Sequence, residues 1–209
     1  SHRVGLEVGI PGSDVDYQKL TYDAQAFMPL WGGFVLRGYG KLGYGNDLPF
    51  YKNFYAGGYG SVRGYDNSSL GPKYPSVSFQ ETGQSDPDPE EVGGNALVQF
   101  GTELALPLPF KGDWARQVRP VLFAEGAQVF DTKCDVPSGN ILVNSSNVDI
   151  KQYCKDNYNF NFDNMRYSVG VGFTWITMIG PLSLSYAFPL NDKKGDDTKS
   201  IQFEIGRTF

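Results

Sequence analysis

The sequence has very little histidine, and this scarcity limits the chemistry that the protein can perform. His2 is the single histidine among 209 residues, and it lies beside the first residue of the chain. Ser/His/Asp and Cys/His arrangements need a histidine as the base that activates the nucleophile. Glu103 and Glu125 leave a carboxylate pair open for acid and base chemistry, although such pairs more often balance a buried cation. The sequence therefore predicts that the protein is not an enzyme.

Long apolar runs and clusters of basic residues are also missing. No window approaches about eighteen consecutive apolar residues, which excludes a membrane-spanning helix. The mean hydropathy of −0.34 leaves a membrane barrel open, because the strands of such barrels alternate between apolar and polar residues. The net charge is −5 and no run of Lys or Arg occurs, so nucleic acid is not expected as a partner.

Cysteine is scarce too, and the two residues that are present point to a disulfide. Cys134 and Cys154 lie in one polar stretch with no histidine nearby, whereas a metal site needs three or four ligands. Two cysteines in a polar loop fit a disulfide formed in an oxidising compartment. The acidic stretch from Ser85 to Glu91 lacks the spacing of a calcium-binding loop, so neither a metal nor another cofactor is predicted.

Glycine and aromatic residues, by contrast, are abundant and follow a pattern typical of strands and turns. The chain contains 26 Gly, 15 Phe and 13 Tyr, a composition that disfavours helices. From Arg166 to Ile176 and from Pro181 to Phe188, large apolar residues alternate with small or polar ones, which is the two-residue period of a β-strand. Six further strands are predicted at Val4–Ile10, Leu20–Met28, Phe34–Tyr44, about Asn95–Leu106, about Gln117–Phe130 and Ser200–Phe209.

The connections between these eight predicted strands alternate in length along the chain. Short connections fall at Pro29–Gly33, Pro107–Asp113 and Gly180–Pro181, and long polar ones at Pro11–Asp16, Asn46–Gly94, Asp131–Asn164 and Asn191–Lys199. Long extracellular loops and short periplasmic turns are typical of outer-membrane barrels. The sequence thus predicts an all-β fold, a transmembrane antiparallel β-barrel fragment of eight strands, although a soluble β-sandwich has the same alternation.

Two glycine-rich stretches look like nucleotide-binding loops but lack the required context. Gly38–Gly43 matches the G-x-G-x-x-G pattern, yet it lies inside an alternating strand and no helix follows to receive a phosphate. The second stretch, Phe54–Pro72, has no G-K-[ST] sequence and is too aromatic to be simply solvated. We therefore expect Phe54–Pro72 to pack back into the barrel, where Arg63 must find acceptors because an unpaired buried guanidinium is costly.

The segment from Leu48 to Pro72 resembles the BamA family of outer-membrane assembly factors. The resemblance centres on the V-R-G-[FY] loop motif of its superfamily, here Val62, Arg63, Gly64 and Tyr65. It extends over essentially the whole chain, through "EEVGGNALVQFGTELALPLPF" and the closing "GPLSLSYAFPL" and "IQFEIGRTF". The resemblance implies that residues 1–209 are the last eight strands of a sixteen-stranded outer-membrane barrel, without the periplasmic POTRA domains.

The same resemblance implies roles for particular residues. In that family the motif arginine lies inside the barrel and pairs with acidic residues on the two following strands, which correspond here to Glu103 and Glu125. The barrel opens between its first and last strands, and the last strand is broken near a glycine that corresponds to Gly206. Phe203 and Phe209 resemble the C-terminal recognition signal of outer-membrane proteins. A strand edge exposed there is a template for a substrate strand.

The family resemblance also predicts location and partners. We expect insertion of nascent β-barrel proteins into the bacterial outer membrane, with accessory lipoproteins acting through the full-length protein and with the lipid bilayer around the strands. A two-partner secretion or translocation pore of the same superfamily is the alternative, and a small structural or adhesive barrel is an alternative of another class. The two edges of the predicted sheet leave three arrangements open: a small closed barrel, pairing with a second copy, or an open sheet.

Overall fold

The structure is a computed structural model that describes residues 1–9, 16–74, 90–108, 117–134, 140–143, 146–178, 180–193 and 195–206. For residues 140–143 and 146–147 the description covers the backbone alone. Among the features expected from the sequence, Ile10, Phe209 and most of the acidic stretch from Ser85 to Glu91 lie outside these ranges.

Eight antiparallel strands form one sheet, in which each strand pairs with its neighbours in the sequence. The order in the sheet therefore follows the chain from β1 to β8, and the eight strands predicted from the alternation are confirmed. Their bounds are β1 His2–Val8, β2 Gln18–Pro29, β3 Val35–Asn46, β4 Ala96–Ala105, β5 Val118–Phe130, β6 Arg166–Thr177, β7 Gly180–Pro189 and β8 Ile201–Ile205.

The bounds of the last three strands differ in detail from the prediction. The turn expected at Gly180–Pro181 comes earlier, because β6 continues to Thr177 and β7 already begins at Gly180. Strand β8 ends at Ile205, and Gly206 follows with a φ of +87°, a left-handed conformation that favours glycine.

Between the described residues of β1 and β8 no pairing is present, so the eight strands form an open sheet.

The connections carry short elements of their own. Helix α1, Ile150–Asn157, follows Asp149, whose side chain accepts a hydrogen bond from the backbone amide of Gln152 and so caps the helix. No helix in the described ranges is long and apolar enough to cross a membrane. Short strands pair Gly64–Tyr65 with Thr198–Lys199, Lys73–Tyr74 with Glu90–Glu91, and Asn140–Val143 with Ser146–Asp149. Turns of 3-10 helix lie at Trp31–Gly33, Phe50–Lys52 and Phe162–Asn164.

The two faces of the sheet are opposite in character, and the polar face is the buried one. On β8, Ile201 and Phe203 are 61% and 59% exposed, while Gln202 between them is 6% exposed. A soluble β-sandwich buries its apolar face, so the structure favours the membrane barrel over the sandwich. Exposed outward side chains on other strands include Val4, Leu6, Leu20, Leu42, Val171, Phe173, Trp175 and Phe188. Buried polar ones include Gln99, Glu103, Glu125, Ser168, Thr174, Ser183 and Ser185.

A segment of the connection between β3 and β4 covers the polar face, and we call this segment, Phe54–Pro72, the lumen loop. Burial of apolar surface stabilises by about 25 cal/mol per Å², and it holds the loop against the strands. The packing predicted for Phe54–Pro72 is therefore confirmed. The hydrophobic core consists of Phe54, Ala56, Val62, Tyr65 and Leu70 of the loop together with Leu97 of β4 and Ala127 and Val129 of β5.

The two cysteines form the disulfide that the composition predicts. Cys134 follows the end of β5 and Cys154 lies in α1, with 5.7 Å between their Cα atoms. The hydroxyl of Tyr158, just after α1, donates a hydrogen bond to the carbonyl oxygen of Lys73 at 2.5 Å. The disulfide therefore ties β5 to a helix that also contacts the chain just beyond the lumen loop.

Replacing both cysteines, with Cys134→Ser and Cys154→Ser, is expected to lower the free energy of unfolding by about 3 kcal/mol in the chain-entropy model. The reason is that the disulfide closes a loop between residues 20 positions apart. Denaturant unfolding in detergent measures this loss. In the wild type, alkylation is expected to add mass only after reduction, and alkylation of both thiols in the unreduced protein would contradict the disulfide.

Candidate functional site

The lumen loop folds back on itself through glycines whose backbone conformations other residues rarely adopt. Gly57 and Gly58 have φ values of +102° and +85°, in the region where a Cβ atom is disfavoured. The backbone amide of Gly58 donates hydrogen bonds to the carbonyl oxygens of Val62 and Tyr65, at 3.2 and 3.1 Å. These bonds close a compact turn that presents Arg63 to the strands beneath.

Arg63 is buried between two glutamates, with only 1% of its side chain exposed. Its Nε donates a hydrogen bond to Oε1 of Glu125 at 2.9 Å. Its Nη2 donates to Oε1 of Glu103 at 2.6 Å and to Oε1 of Glu125 at 2.5 Å. The backbone amide of Arg63 adds a bond to Oε2 of Glu125 at 2.8 Å. The two strands after the loop therefore provide both of the acceptors that the family resemblance implies.

The register of β4 and β5 brings these two carboxylates together. Glu103 lies directly opposite Phe123, and Glu125 lies directly opposite Gly101, so the two glutamates are diagonal neighbours on one face of the sheet. The ring of Phe123 lies against the guanidinium, with 3.5 Å between the ring centre and Cζ of Arg63. This is a cation–π contact, and it gives the buried cation a third partner besides the carboxylates.

Two further residues complete the network, and both come from β3. Nη1 of Arg37 donates to Oε2 of Glu103 at 2.9 Å, and the hydroxyl of Tyr39 donates to Oε1 of Glu125 at 2.5 Å. The network therefore contains two arginines and two glutamates, whose formal charges cancel. We call Arg63, Glu103, Glu125, Arg37 and Tyr39 together the Arg63 network.

The sequence does not identify Arg37 and Tyr39 as site residues, although the alternation indicates the face of the strand on which they lie. Odd-numbered positions of β3 face the barrel interior, where a charged side chain needs an oppositely charged partner. What the alternation lacks is the register, which sets Arg37 opposite Glu103. Even-numbered positions carry the apolar set of this strand, namely Phe34, Leu36, Leu42 and Tyr44.

A glycine on β4 makes room for the bond between Tyr39 and Glu125. Gly101 is paired with Tyr39 on one side and with Glu125 on the other. A Cβ atom at Gly101 would lie 2.5 Å from the ring of Tyr39. The ring of Tyr39 therefore reaches the carboxylate by crossing directly over Gly101, and the absence of a side chain at this position is a spatial requirement of the network.

The electrostatics of the Arg63 network favour the charged form of Arg63. Burial by itself lowers the pKa of the Arg63 guanidinium, but the carboxylate of Glu125, together with Glu103, raises this pKa above its usual value. All four carboxylate oxygens of the two glutamates accept hydrogen bonds. Removing one partner of a buried ion pair costs about 3–5 kcal/mol, because the other charge is left uncompensated. The arrangement is suited to holding the loop in place.

The other motif residues lie in the core and against β7. Val62 and Tyr65 are fully buried, and burial, followed by the nearby Asp196 carboxylate, raises the pKa of Tyr65 to about 12. Gly64 has a φ of +96°, and a Cβ atom there would lie 3.2 Å from Cβ of Ala187. A glycine at this position therefore lets the loop backbone lie directly on β7.

The predicted residues of the terminal strand lie apart from the Arg63 network. Phe203 is exposed on the outer face of β8, and Gly206 follows the end of that strand. Phe209 lies outside the described residues. The structure thus separates the predicted site into an anchored loop inside the sheet and an apolar strand at its edge.

An antiparallel sheet with an apolar outer face, covered inside by a loop whose V-R-G-Y arginine is buried, defines the class of the protein as part of an outer-membrane β-barrel. A model of the Omp85 superfamily domain matches residues 1–209. The chain belongs to the Omp85 superfamily.

Comparison with individual proteins confirms the resemblance to BamA. The chain is 36% identical, over 99% of its length, to the outer membrane protein assembly factor BamA of Neisseria meningitidis serogroup B, of which it covers 26%. It is 28% identical, over 96% of its length, to the sorting and assembly machinery component 50 homolog of Mus musculus, of which it covers 39%. The crystal structure of BamA from Haemophilus ducreyi lacking POTRA domains 1–3 matches 97% of this chain and 37% of that chain, with a TM-score of 0.77 and 31% identity. The expected location in the bacterial outer membrane agrees with these matches.

Replacing Arg63 tests the ion pairs directly. Arg63→Ala is expected to lower the free energy of unfolding by about 3–5 kcal/mol, because it leaves two buried carboxylates with one arginine. Adding Glu125→Gln is expected to recover part of this loss, since Arg37 and Glu103 then form a balanced pair. A double-mutant cycle of unfolding free energies measures the coupling. Strictly additive losses would contradict a direct interaction between Arg63 and Glu125.

Adding one methyl group at Gly101 tests whether the ring of Tyr39 lies directly over this residue. Gly101→Ala is expected to destabilise by about 1–3 kcal/mol, because the methyl group overlaps the ring of Tyr39. Gly38→Ala is the matched control on the neighbouring strand, because a Cβ atom at Gly38 meets nothing within 4 Å. Unfolding of both variants in the same detergent gives the comparison. Equal losses from the two substitutions would argue against the close approach of Tyr39.

Proposed function

We propose that the chain is the C-terminal part of the barrel of an outer-membrane protein assembly factor and comprises its last eight strands without a POTRA domain. The chain spans 26% of the length of the Neisseria relative and 37% of the solved Haemophilus chain. The proposed activity therefore belongs to the whole protein, to which this chain contributes. In that activity, the protein folds nascent β-barrel proteins and inserts them into the outer membrane.

The observation that carries this proposal is the anchored lumen loop. Arg63 fixes the loop to β4 and β5 through Glu103 and Glu125, so that the loop covers the polar face of these two strands. The relatives that share the sequence over nearly all of its length are named for outer membrane protein assembly and for sorting and assembly. A fixed inner wall of this kind supports the strands at the edge of the sheet, where a substrate strand is proposed to bind.

Strand β8 is the element proposed to meet the substrate. Among the described residues, β8 pairs with β7 alone, so its second edge presents backbone N–H and C=O groups. Such an edge pairs with an incoming strand by β-augmentation. Phe203 gives this strand an apolar outer face, and Gly206 follows its end. Phe209 is proposed to complete the recognition signal.

This function needs no covalent chemistry. The curated relatives are assembly factors by name. Glu103 and Glu125, the carboxylate pair that could have served acid and base catalysis, use all their oxygens as acceptors of hydrogen bonds from Arg63, Arg37 and Tyr39. We therefore assign no catalytic residue and no cofactor.

The proposed partners follow from the surfaces of the sheet. The apolar outer face contacts the lipid bilayer, because its large side chains are exposed in the described residues. The edge of β8 binds nascent barrel proteins, and accessory lipoproteins act through the full-length protein. The open edges of β1 and β8 also allow self-association of the isolated chain.

An insertion assay tests the proposed function. In liposomes that contain the full-length protein, an unfolded outer-membrane protein is expected to become protease-resistant faster than in empty liposomes. Arg63→Ala is expected to slow insertion roughly ten-fold or more, because the loop loses its buried ion pairs. Arg119→Ala, which removes an exposed arginine of β5, is the control and is expected to keep the wild-type rate.

The same assay with these 209 residues alone is expected to show no insertion, because they cover only 26% of the length of the Neisseria relative. Insertion by this chain alone, or an Arg63→Ala protein as fast as the wild type, would contradict the proposal. Export of a substrate through the barrel without insertion would support the secretion-pore alternative.

A further inference from the structure

Backbone hydrogen bonds join the lumen loop to the chain that leads into the terminal strand. Gly64–Tyr65 pair with Thr198–Lys199, which lie just before β8 begins at Ile201. The amide of Asp66 also donates to the carbonyl oxygen of Asp197 at 2.8 Å. The chain entering β8 is therefore paired with the motif residues of the loop.

Gln202 adds a side-chain bond from β8 itself. Nε2 of Gln202 donates to the carbonyl oxygen of Tyr65 at 2.6 Å, and the side chain is buried on the inner face. Oε1 of the same amide is buried and has no hydrogen-bond partner among the described residues. Burying a side-chain amide costs free energy, and the cost is only partly offset when one end of the amide is hydrogen-bonded. An apolar side chain at this position would avoid that cost, so the bond to Tyr65 is the contact that offsets the burial of Gln202.

Strand β8 has few other attachments. It spans five residues and pairs with Leu182–Tyr186 of β7, and no other strand in the described ranges pairs with it. Its outward side chains Ile201, Phe203 and Ile205 are exposed and therefore add little packing within the chain. Short segments with few buried contacts open more readily than the rest of a protein, so the hold of the loop matters for this strand.

We propose that Gln202 is a positioning residue that latches β8 to the lumen loop. The contacts run from Glu103 and Glu125 to Arg63, then to the adjacent Gly64–Tyr65, and from there to Gln202. The Arg63 network thereby sets how readily β8 separates from the sheet. The latch is inferred from these contacts alone. Its consequence for assembly rests on the proposed function: the latch would control the edge of β8 that receives a substrate strand.

Hydrogen exchange at the amides of β8 tests the latch, measured by mass spectrometry on the full-length protein in lipid membranes. Gln202→Ala is expected to speed exchange in β8 about five-fold, the effect of losing one hydrogen bond. Gln99→Ala is the matched control. Gln99 is a buried glutamine on β4 whose Nε2 donates to the carbonyl oxygen of Gly60 in the same loop at 3.1 Å. This control is expected to leave exchange in β8 unchanged.

Gln202→Glu separates the hydrogen bond from packing. An ionised glutamate has nearly the same shape as glutamine but cannot donate a hydrogen bond, whereas a protonated one can. We expect the protection of β8 amides, corrected for intrinsic exchange rates, to be lost at neutral pH and to return as the pH falls through the pKa of the introduced carboxyl group. Gln202→Ala is expected to show no such return.

Wild-type protection of β8 in both Gln202 variants at neutral pH would overturn the latch, and so would equal acceleration by Gln99→Ala. The exchange readout does not depend on insertion activity. Failure of the wild-type protein to insert substrates would overturn the proposed function and leave the exchange result standing. The two claims can therefore fail separately.

Discussion

The buried guanidinium of Arg63 is the interaction on which the rest of the structure depends. A cation in this position requires carboxylates within hydrogen-bond distance, and Glu103 and Glu125 meet this need only because β4 and β5 pair in one register. A second arginine, Arg37, balances the charge. The loop turn, the strand register and the bare backbone at Gly101 are all conditions for this one arrangement.

The reversed polarity of the sheet explains why a loop must take this place. Because the large apolar side chains point outward to lipid, the inner face is left with polar groups that need partners. The lumen loop supplies partners to Gln99, Glu103, Glu125 and Gln202. Its own apolar residues, Phe54, Val62 and Leu70, pack on β4 and β5. The loop and the sheet therefore stabilise each other, and the terminal strand contacts both.

Alternation along the chain was sufficient to predict the eight strands, and the loop motif pointed to the buried arginine. Helix α1 was missed because it is only eight residues long and mostly polar, and the Asp149 cap and the disulfide hold it in place. Arg37 and Tyr39 were missed because the alternation shows on which face of a strand a residue lies, but it does not show which residue of the neighbouring strand lies opposite. The contact of Gln202 was missed for another reason. Its partner is a backbone carbonyl oxygen of the loop, and every residue has such a group, so the sequence does not show which one is the partner.

Solid-state NMR on the full-length protein in lipid membranes tests the central claim most directly. The dipolar coupling between ¹⁵N-labelled Nε of Arg63 and the ¹³C-labelled carboxyl group of Glu125 reports their separation. The structure, with 2.9 Å between Nε and Oε1, predicts a strong coupling and an Nε proton that exchanges slowly with water. Absence of the coupling together with rapid proton exchange would place Arg63 in solvent and contradict the account.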